Sequence, residues 1–260
     1  MKERALFLTI LLFFQLTLSL TVGLLPSEPL RHAAMLAVML LPLLLWKKAP
    51  KGTRALRALP KKAALPLLLL LPAFILLVAA VSIGWGKLAT LVGLTLRGAE
   101  PVKPLSLAIL LDAAVPAIGE EIFARGAVYS ILRPHGRRTA VFGSALVFAL
   151  MHASLAQLPY TLLAGLLLAM LYEVSGGLLM PILFHLCSNL FSLLLMFGAP
   201  PAPLFIALAA FAVIGAAVFL LWVHPAPLPK EGEVEAGTIR DLLLSPLLLW
   251  IGVILFFILL

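Results

Sequence analysis

The chain has 260 residues, of which 63% are hydrophobic and 12% are charged. A soluble domain has about 25% charged and about 45–50% apolar residues, so this composition excludes a soluble globular fold and indicates a polytopic membrane protein. The net charge of +8 would suit a nucleic-acid-binding protein, but most Lys and Arg residues flank apolar segments. That placement indicates orientation in a lipid bilayer and argues against a nucleic-acid partner.

Apolar segments long enough to cross a bilayer recur along the whole chain. A transmembrane helix needs about 20 mainly apolar residues, with a range of about 17–25. Some of the segments are short enough to be re-entrant or split, so we predict an all-α transmembrane helix bundle of about seven to nine spans. The nine candidates are residues 5–25, 30–46, 64–84, 105–132, 139–156, 158–174, 177–197, 201–222 and 242–260.

The distribution of Lys and Arg predicts the orientation. With nine spans and a cytoplasmic N-terminus, the cytoplasmic segments hold most of the 19 Lys and Arg residues. The opposite side then holds only Arg31, Lys87, Arg97 and Lys103, in agreement with the excess of positive charge in cytoplasmic loops. Because the high Ala, Leu and Pro content is typical of a GC-rich prokaryote, we expect an integral protein of the prokaryotic inner (cytoplasmic) membrane.

No segment of the chain is predicted to form a separate soluble domain. The longest polar connections, residues 47–62 and 223–241, are too short for one. We therefore predict a single integral membrane domain over residues 1–260. Its parts are N-terminal spans and an interfacial connection in 1–100 (the connection starting at Trp85 and reaching about residue 104), a core with most of the polar span residues in 105–197, and C-terminal spans in 201–260.

Ionisable side chains interrupt three of the apolar segments. The fourth segment carries Glu120, Glu121 and Arg125, and two later segments carry His152 and His185. Ionised groups at bilayer depth cost about 2.5–3.5 kcal/mol each on insertion scales, so they are rare and mark function. At 1.5 Å per residue from the predicted span ends, Glu120 and His152 lie about 20 Å deep and His185 about 12 Å deep. These side chains are therefore predicted to reach a common pocket.

Helical geometry separates the two neighbouring glutamates. Successive residues of a helix point in directions about 100° apart, so Glu120 and Glu121 face different sides. Glu121 and Arg125 are four residues apart and can pair along one face. Glu120 is left without a local partner and is the candidate general base.

Two further pairs share a helix face at the same four-residue spacing. Phe148 lies beside His152, and His185 lies beside Asn189. The second pair offers two hydrogen-bond donors aimed in one direction, which suits the stabilisation of an oxyanion. We assign Phe148 to packing. Taken singly, either histidine would instead be read as an interhelical hydrogen-bonding residue.

Together these residues resemble the motifs of a known family. The motifs are Glu120-Glu121-x-x-x-Arg125, Phe148-x-x-x-His152 and His185-x-x-x-Asn189. In this order on three hydrophobic segments they are similar to the CPBP family, which includes the type II CAAX prenyl endopeptidases and bacterial Abi-type intramembrane proteases. The resemblance covers about residues 105–195 and makes 105–197 the expected catalytic motif core.

The resemblance implies an intramembrane endopeptidase with a CAAX-protease-like core. Glu120 would activate a water with the help of His152, and His185 and Asn189 would bind the developing oxyanion. Glu121 and Arg125 would support the motif helix, with Phe148 beside them. The expected substrate is a membrane protein or a lipidated peptide in the bilayer, such as a CAAX-type tail, a leader peptide or a C-terminal sorting tail.

The need for a metal is left open by the resemblance, since family members have been described both as metalloproteases and as metal-free glutamate proteases. Glu120, His152 and His185 would be the three ligands if zinc is used. An HExxH motif is absent, and Asn189 is a poor zinc ligand but a good oxyanion donor. We therefore assign no metal ligand and favour metal-independent chemistry.

Two other functions compete with proteolysis. The same fold can serve as a catalytically silent scaffold or immunity protein that sequesters a peptide. A transporter or proton relay would use the same buried Glu and His residues, but the sequence has no internal repeat of the kind that many transporters have. The oligomeric state does not follow from the sequence.

Overall fold

The structure, a computed structural model, is helical throughout the residues it describes. These residues are 25–27, 30, 31, 33, 34, 37, 65, 67–94, 104–152, 154–198 and 202–222, with side chains up to 217 in the last range. The predicted spans 5–25 and 242–260, and most of 30–46, lie outside them. The all-α prediction is confirmed for the described part of the chain, whereas the number of spans is not tested.

The described helices follow the predicted apolar segments in chain order. Residues 105–132 form one continuous helical stretch, the motif helix, in which α-helical and π-helical segments alternate. A 3₁₀ turn, Arg133–His135, follows it. The elements are α1 Leu71–Leu91, α2 Leu105–Ala108, a π segment Ile109–Ala114, α3 Val115–Glu121, a second π segment Ile122–Tyr129, α4 Ser130–Leu132, α5 Arg137–Leu150, α6 Leu158–Ser175, α7 Leu179–Phe197 and α8 Ala202–Trp222.

Three of these helices, α1, α6 and α7, are long and apolar enough to cross a membrane. A shorter apolar helix covers Ala202–Ala217. Each α-helical or π-helical segment of the motif helix is short, and α5 has 14 residues, so none of these elements by itself has the length of a regular span. The described part of the chain thus has the apolar helices of an integral membrane protein.

The first described helix continues beyond its predicted end. The interfacial connection was predicted to start at Trp85, but α1 extends to Leu91. Trp85 is part of the packing, because its indole N–H donates to the carbonyl of Leu155, 2.9 Å away. Lys87 is exposed near the helix end, where a long side chain can reach water. The helix stops where Gly93 takes a positive φ of 78°.

Proline and glycine explain the irregular course of the motif helix. Pro116 lies in the first turn of α3, directly after the first π segment. A proline within a helix lacks one N–H donor and crowds the preceding turn, and a wider π turn at that point accommodates it. At the other end, Gly136 has a φ of 104°, which ends the 3₁₀ turn and lets the chain enter α5.

Helix α6 lies between two hydrophobic clusters and joins them. One cluster comprises the second half of the motif helix, α5 and Ala169 of α6. The other comprises residues of α1, α6 and α7, among them the fully buried Leu168 of α6. At the contact of α5 with α6, a Cβ atom on Gly165 would lie only 3.0 Å from the Cα atom of Ala145. The two helices therefore approach each other as closely as their backbones allow, which is how small residues pack membrane helices.

Candidate active site

The centre of the site is a fully buried ion pair. The Arg125 guanidinium donates from Nη1 to Oε1 of Glu121 over 2.7 Å, and both side chains are 0% exposed. Nη2 of the same guanidinium donates to the Gly165 carbonyl, also over 2.7 Å. The guanidinium carbon lies 4.7 Å from the centre of the Phe148 ring, a cation–π contact. The predicted pairing of Glu121 with Arg125 is thus present, and it reaches both α5 and α6.

Glu121 also contacts His185, a partner that the sequence did not suggest. Nδ1 of His185 lies 3.0 Å from Oε1 of Glu121. An ionised carboxylate can only accept hydrogen bonds, so the imidazole carries its proton on Nδ1 and donates it to Glu121. The Nε2 atom of His185 then faces the opposite way, towards Glu120.

His152 is oriented in a corresponding way, although it does not lie in a helix. Helix α5 ends at Leu150, and His152 occupies the turn that follows, whereas the predicted span ran to residue 156. Its Nδ1 lies 2.7 Å from the backbone carbonyl of Phe148. Since a carbonyl oxygen only accepts, Nδ1 of His152 is also the protonated nitrogen.

The Phe148 ring lies beside both histidines. Its centre is 5.1 Å from that of His152 and 5.5 Å from that of His185, with edge-to-face geometry in both cases. Together with the contact to Arg125, these stacking contacts support the predicted packing role of Phe148.

Glu120 lies opposite the Nε2 atoms of the two histidines. Its Oε2 atom is 3.7 Å from Nε2 of His152 and 3.9 Å from Nε2 of His185, and its side chain is 12% exposed. Both separations exceed a direct hydrogen bond. Within the described residues, Oε2 of Glu120 is buried and accepts no hydrogen bond. The structure therefore brings Glu120, His152 and His185 to one point, with the carboxylate oxygen unpaired.

Asn189 faces a different neighbour. It lies one turn after His185 in α7, and its amide nitrogen is 3.5 Å from the carbonyl of Ala113, the outer limit of a hydrogen bond. None of the contacts found in the described ranges joins Asn189 to Glu120 or His152. The structure thus places Asn189 on the face of α7 that packs against the first π segment.

Tyr160 is a polar neighbour that was not predicted from the sequence. It is half-buried in the first turn of α6 and lies within electrostatic reach of Glu120. It also packs against the hydrophobic cluster shared by α1, α6 and α7. A tyrosine near the start of an apolar helix is ordinary in membrane proteins, so its position was no signal of a role in the site.

Three residues of the site could in principle hold a metal ion. Glu120, His152 and His185 are the candidates, and each histidine presents Nε2 towards the carboxylate. Among the described residues, however, no group of three or more His, Cys, Asp or Glu side chains has the arrangement of a metal site. No catalytic step is therefore derived through a metal, and metal-independent chemistry stays a prediction.

Comparisons with known proteins bear on the same part of the chain. Residues 102–191, less than half of the chain, match the family model "Type II CAAX prenyl endopeptidase Rce1-like". Searches of curated proteins and of solved structures give no match. The matched range contains all seven residues of the three motifs. The match confirms the resemblance seen in these motifs: residues 102–191 are similar to the type II CAAX prenyl endopeptidases.

Proposed function

We propose that the protein is an intramembrane endopeptidase that hydrolyses a membrane-associated peptide with Glu120 as general base. The observation that carries the proposal is the unpaired carboxylate oxygen of Glu120, which lies 3.7 and 3.9 Å from two imidazole nitrogens. A largely buried carboxylate facing two histidines is a costly arrangement in a membrane protein, and such groups mark functional sites. The family match to a CAAX prenyl endopeptidase supports peptide hydrolysis.

The first step uses the gap between Glu120 and His152. A separation of 3.7 Å is too long for a direct hydrogen bond but suits two groups that hold one water between them. Glu120 takes a proton from this water, and the resulting hydroxide attacks the carbonyl carbon of the scissile peptide bond. His152, whose Nδ1 proton is committed to the Phe148 carbonyl, offers the lone pair of Nε2 to orient the water. The proton on Glu120 then passes to the leaving amine.

The second part of the site stabilises the oxyanion. His185 and Asn189, one turn apart on α7, are the proposed donors. Because the Nδ1 proton of His185 is donated to Glu121, donation from Nε2 requires a second proton on the ring. In this assignment His185 acts as an imidazolium, with Glu121 at one nitrogen and Glu120 facing the other. Glu121 is thus a positioning residue for His185 as well as the partner of Arg125.

The proposed substrate is a peptide segment that reaches the site from the membrane. The site groups come from the motif helix, the turn after α5, and α7, which is apolar enough to cross a membrane, so a substrate that is itself in the bilayer needs no passage through water. A CAAX-type tail, a leader peptide and a C-terminal sorting tail all meet this requirement. The family match favours the CAAX-type tail among them.

Replacement of Glu120 tests the proposal directly. Glu120→Gln preserves size and polarity but removes the base, and we expect cleavage to fall about 10²–10⁴-fold, the usual contribution of a general base. The substrate is identified by mass spectrometry of membrane proteins from cells that carry wild-type protein or Glu120→Gln. Cleavage of that substrate is then measured with both purified proteins in proteoliposomes.

A matched control distinguishes the loss of the catalytic base from the loss of any acidic side chain in the motif helix. Asp112→Asn removes another acidic residue of the motif helix, about two turns before Glu120, and is expected to cleave at close to the wild-type rate. If Glu120→Gln is folded and cleaves at the wild-type rate, the proposed mechanism is wrong. If the protein's effect in cells survives Glu120→Gln and no cleaved product depends on Glu120, the protein works as a binding scaffold instead.

A further inference from the structure

A second polar cluster lies at the end of the motif helix, away from Glu120. Glu173, near the end of α6, accepts a hydrogen bond from the Tyr129 hydroxyl and from Nε of Arg133, the latter over 2.8 Å. Its other oxygen lies 3.6 Å from Nε of Arg137, at the start of α5. Arg138 follows and is exposed. We call Arg133, Arg137 and Arg138 the arginine cluster.

The arginine cluster carries more positive charge than its neighbouring acid neutralises. Two guanidinium groups, those of Arg133 and Arg137, face a single carboxylate, Glu173, whose side chain is only 12% exposed, and Arg138 adds a third positive charge nearby in the chain. Arg138 makes no hydrogen bond or ion pair within the described part of the chain. The cluster therefore retains a net positive charge that points towards the outside of the helix bundle.

The geometry of two of these arginines leaves their outer edges available. Arg133 and Arg137 both face Glu173 through Nε. In the described residues their Nη groups have no hydrogen-bond partner, and the side chains are 36% and 22% exposed. The edge of a guanidinium formed by its two Nη atoms matches two oxygens of a phosphate group. Glu173 thus orients both guanidinium groups and leaves that edge unoccupied by protein.

The cluster lies at the level where the apolar helices end. The motif helix passes into the Arg133–His135 turn, α5 starts at Arg137, and α6 ends at Ser175. In a membrane protein, helix ends with cations lie at the boundary between hydrocarbon and water. The phosphate groups of phospholipids occupy the same layer, and basic pockets between membrane helices bind anionic headgroups there.

We propose that the arginine cluster is a binding site for the phosphate of one anionic phospholipid. A zwitterionic lipid brings an ammonium group that Arg138 repels, so selectivity for a net negative headgroup follows from the excess positive charge. A bound lipid bridges the end of the motif helix and the start of α5, the two elements that carry Glu120 and Phe148 respectively. The proposal concerns binding and does not depend on the proposed peptidase activity.

Lipid binding to the purified full-length protein in a neutral detergent tests the proposal. Phosphatidylglycerol or phosphatidylcholine is added in mixed micelles, and bound lipid is counted by native mass spectrometry while the melting temperature is followed. We expect one phosphatidylglycerol to be retained and to raise the melting temperature more than phosphatidylcholine does. Arg137→Gln/Arg138→Gln should weaken phosphatidylglycerol binding by about tenfold or more.

Two further variants keep the test decisive. Arg138→Gln alone replaces an exposed side chain without a protein partner, so it folds even if the double variant does not, and it should still weaken binding several-fold. Lys87→Gln removes one exposed positive charge from α1 and should leave binding unchanged. If Lys87→Gln weakens phosphatidylglycerol binding as much as Arg138→Gln does, binding depends only on net charge and the proposed site is wrong. The proposed site is also wrong if folded Arg138→Gln binds phosphatidylglycerol as tightly as the wild type.

Other occupants are distinguished in the same assay. Inorganic phosphate at millimolar concentration should neither raise the melting temperature nor displace the lipid. If phosphate alone reproduces the effect of phosphatidylglycerol, the cluster binds a soluble anion and the lipid assignment is wrong. The assignment is also wrong if an acidic peptide in phosphatidylcholine micelles gives the Arg138-dependent effect and phosphatidylglycerol does not.

Discussion

At the scale of single residues, Arg125 is the side chain on which the site depends for its shape. It is fully buried, pairs with Glu121, donates to the Gly165 carbonyl and lies over Phe148. Glu121 of the same motif helix therefore neutralises the charge of Arg125, and the other contacts of Arg125 join the motif helix to α5 and α6. Removal of such a buried partner leaves an uncompensated charge, which costs more than the pair itself contributes.

Arg125→Met tests this dependence. The substitution leaves the buried Glu121 carboxylate with the His185 ring as its one remaining partner among the described residues, so we expect a loss of about 3–5 kcal/mol in the free energy of unfolding. Arg125→Met/Glu121→Gln removes both charges and should be more stable than the single variant, because contacting residues are not additive. Unfolding in detergent, followed by circular dichroism, measures both. A single variant as stable as wild type would show that the pair is not structural.

The use of a metal is also decided at this scale, by Glu120, His152 and His185. We expect the purified protein to retain its cleavage rate in the presence of a strong zinc chelator and to contain much less than one zinc per chain. Elemental analysis and the rate measurement are independent of each other. Activity that is lost with the chelator and restored by added zinc would replace the proposed mechanism with a metal-dependent one.

Contacts within one helix could be predicted from the sequence, whereas contacts between helices could be predicted only in part. The Glu121–Arg125 pair follows from a four-residue spacing. Depth along the spans also predicted that His152 and His185 come near Glu120. The contact of His185 with Glu121, over 64 positions, depends on how α7 is rotated about its axis, and spacing within one helix does not contain that information.

At the scale of elements, the motif helix and α5 show what hydrophobic patterns miss. The pattern predicts an apolar helix over 105–132 but cannot separate α-helical from π-helical turns, since the same side chains are apolar in both. Likewise, residues up to 156 are apolar enough to extend α5, yet the helix ends at Leu150. His152 consequently lies in a turn, and its ring is oriented by the Phe148 carbonyl.

The close contact of α5 with α6 gives a test at this scale. In Gly165→Ala the new Cβ atom would meet Ala145 at 3.0 Å from Cα and 3.1 Å from the carbonyl oxygen. Neither backbone atom can move by itself, so the helices must separate, and we expect destabilisation of about 1–3 kcal/mol. The Arg125 bond to the Gly165 carbonyl should weaken at the same time.

Gly84→Ala is the matched control for this substitution. Gly84 also lies within a helix, α1, but a Cβ atom there meets no atom within 4 Å. Alanine favours the helix over glycine by about 1 kcal/mol, so this variant should be as stable as wild type or slightly more stable. The difference between the melting temperatures of the two variants measures how much the close contact of α5 with α6 contributes to stability. Equal melting temperatures would mean that α5 and α6 can separate without cost.

At the scale of the whole molecule, the predicted topology assigns each end of the described helices to one side of the membrane. In the predicted topology, the end of α1 at Leu91 and the start of the motif helix at Leu105 lie on one side of the membrane. The predicted span 105–132 takes the motif helix to the other side, where we expect the arginine cluster. With the predicted cytoplasmic N-terminus, Lys87 lies near the outer surface and Arg138 near the cytoplasmic surface.

Cysteine labelling tests this orientation. In a Cys187→Ser background, Lys87→Cys and Arg138→Cys each place one thiol at an exposed position. We expect a membrane-impermeant maleimide added to intact spheroplasts to label Lys87→Cys and to spare Arg138→Cys, and inverted vesicles to show the reverse. Labelling of both thiols from one side would contradict a motif helix that crosses the bilayer between them. The opposite pattern would keep the crossing but invert the topology, because the positive charge of the arginine cluster would then lie outside.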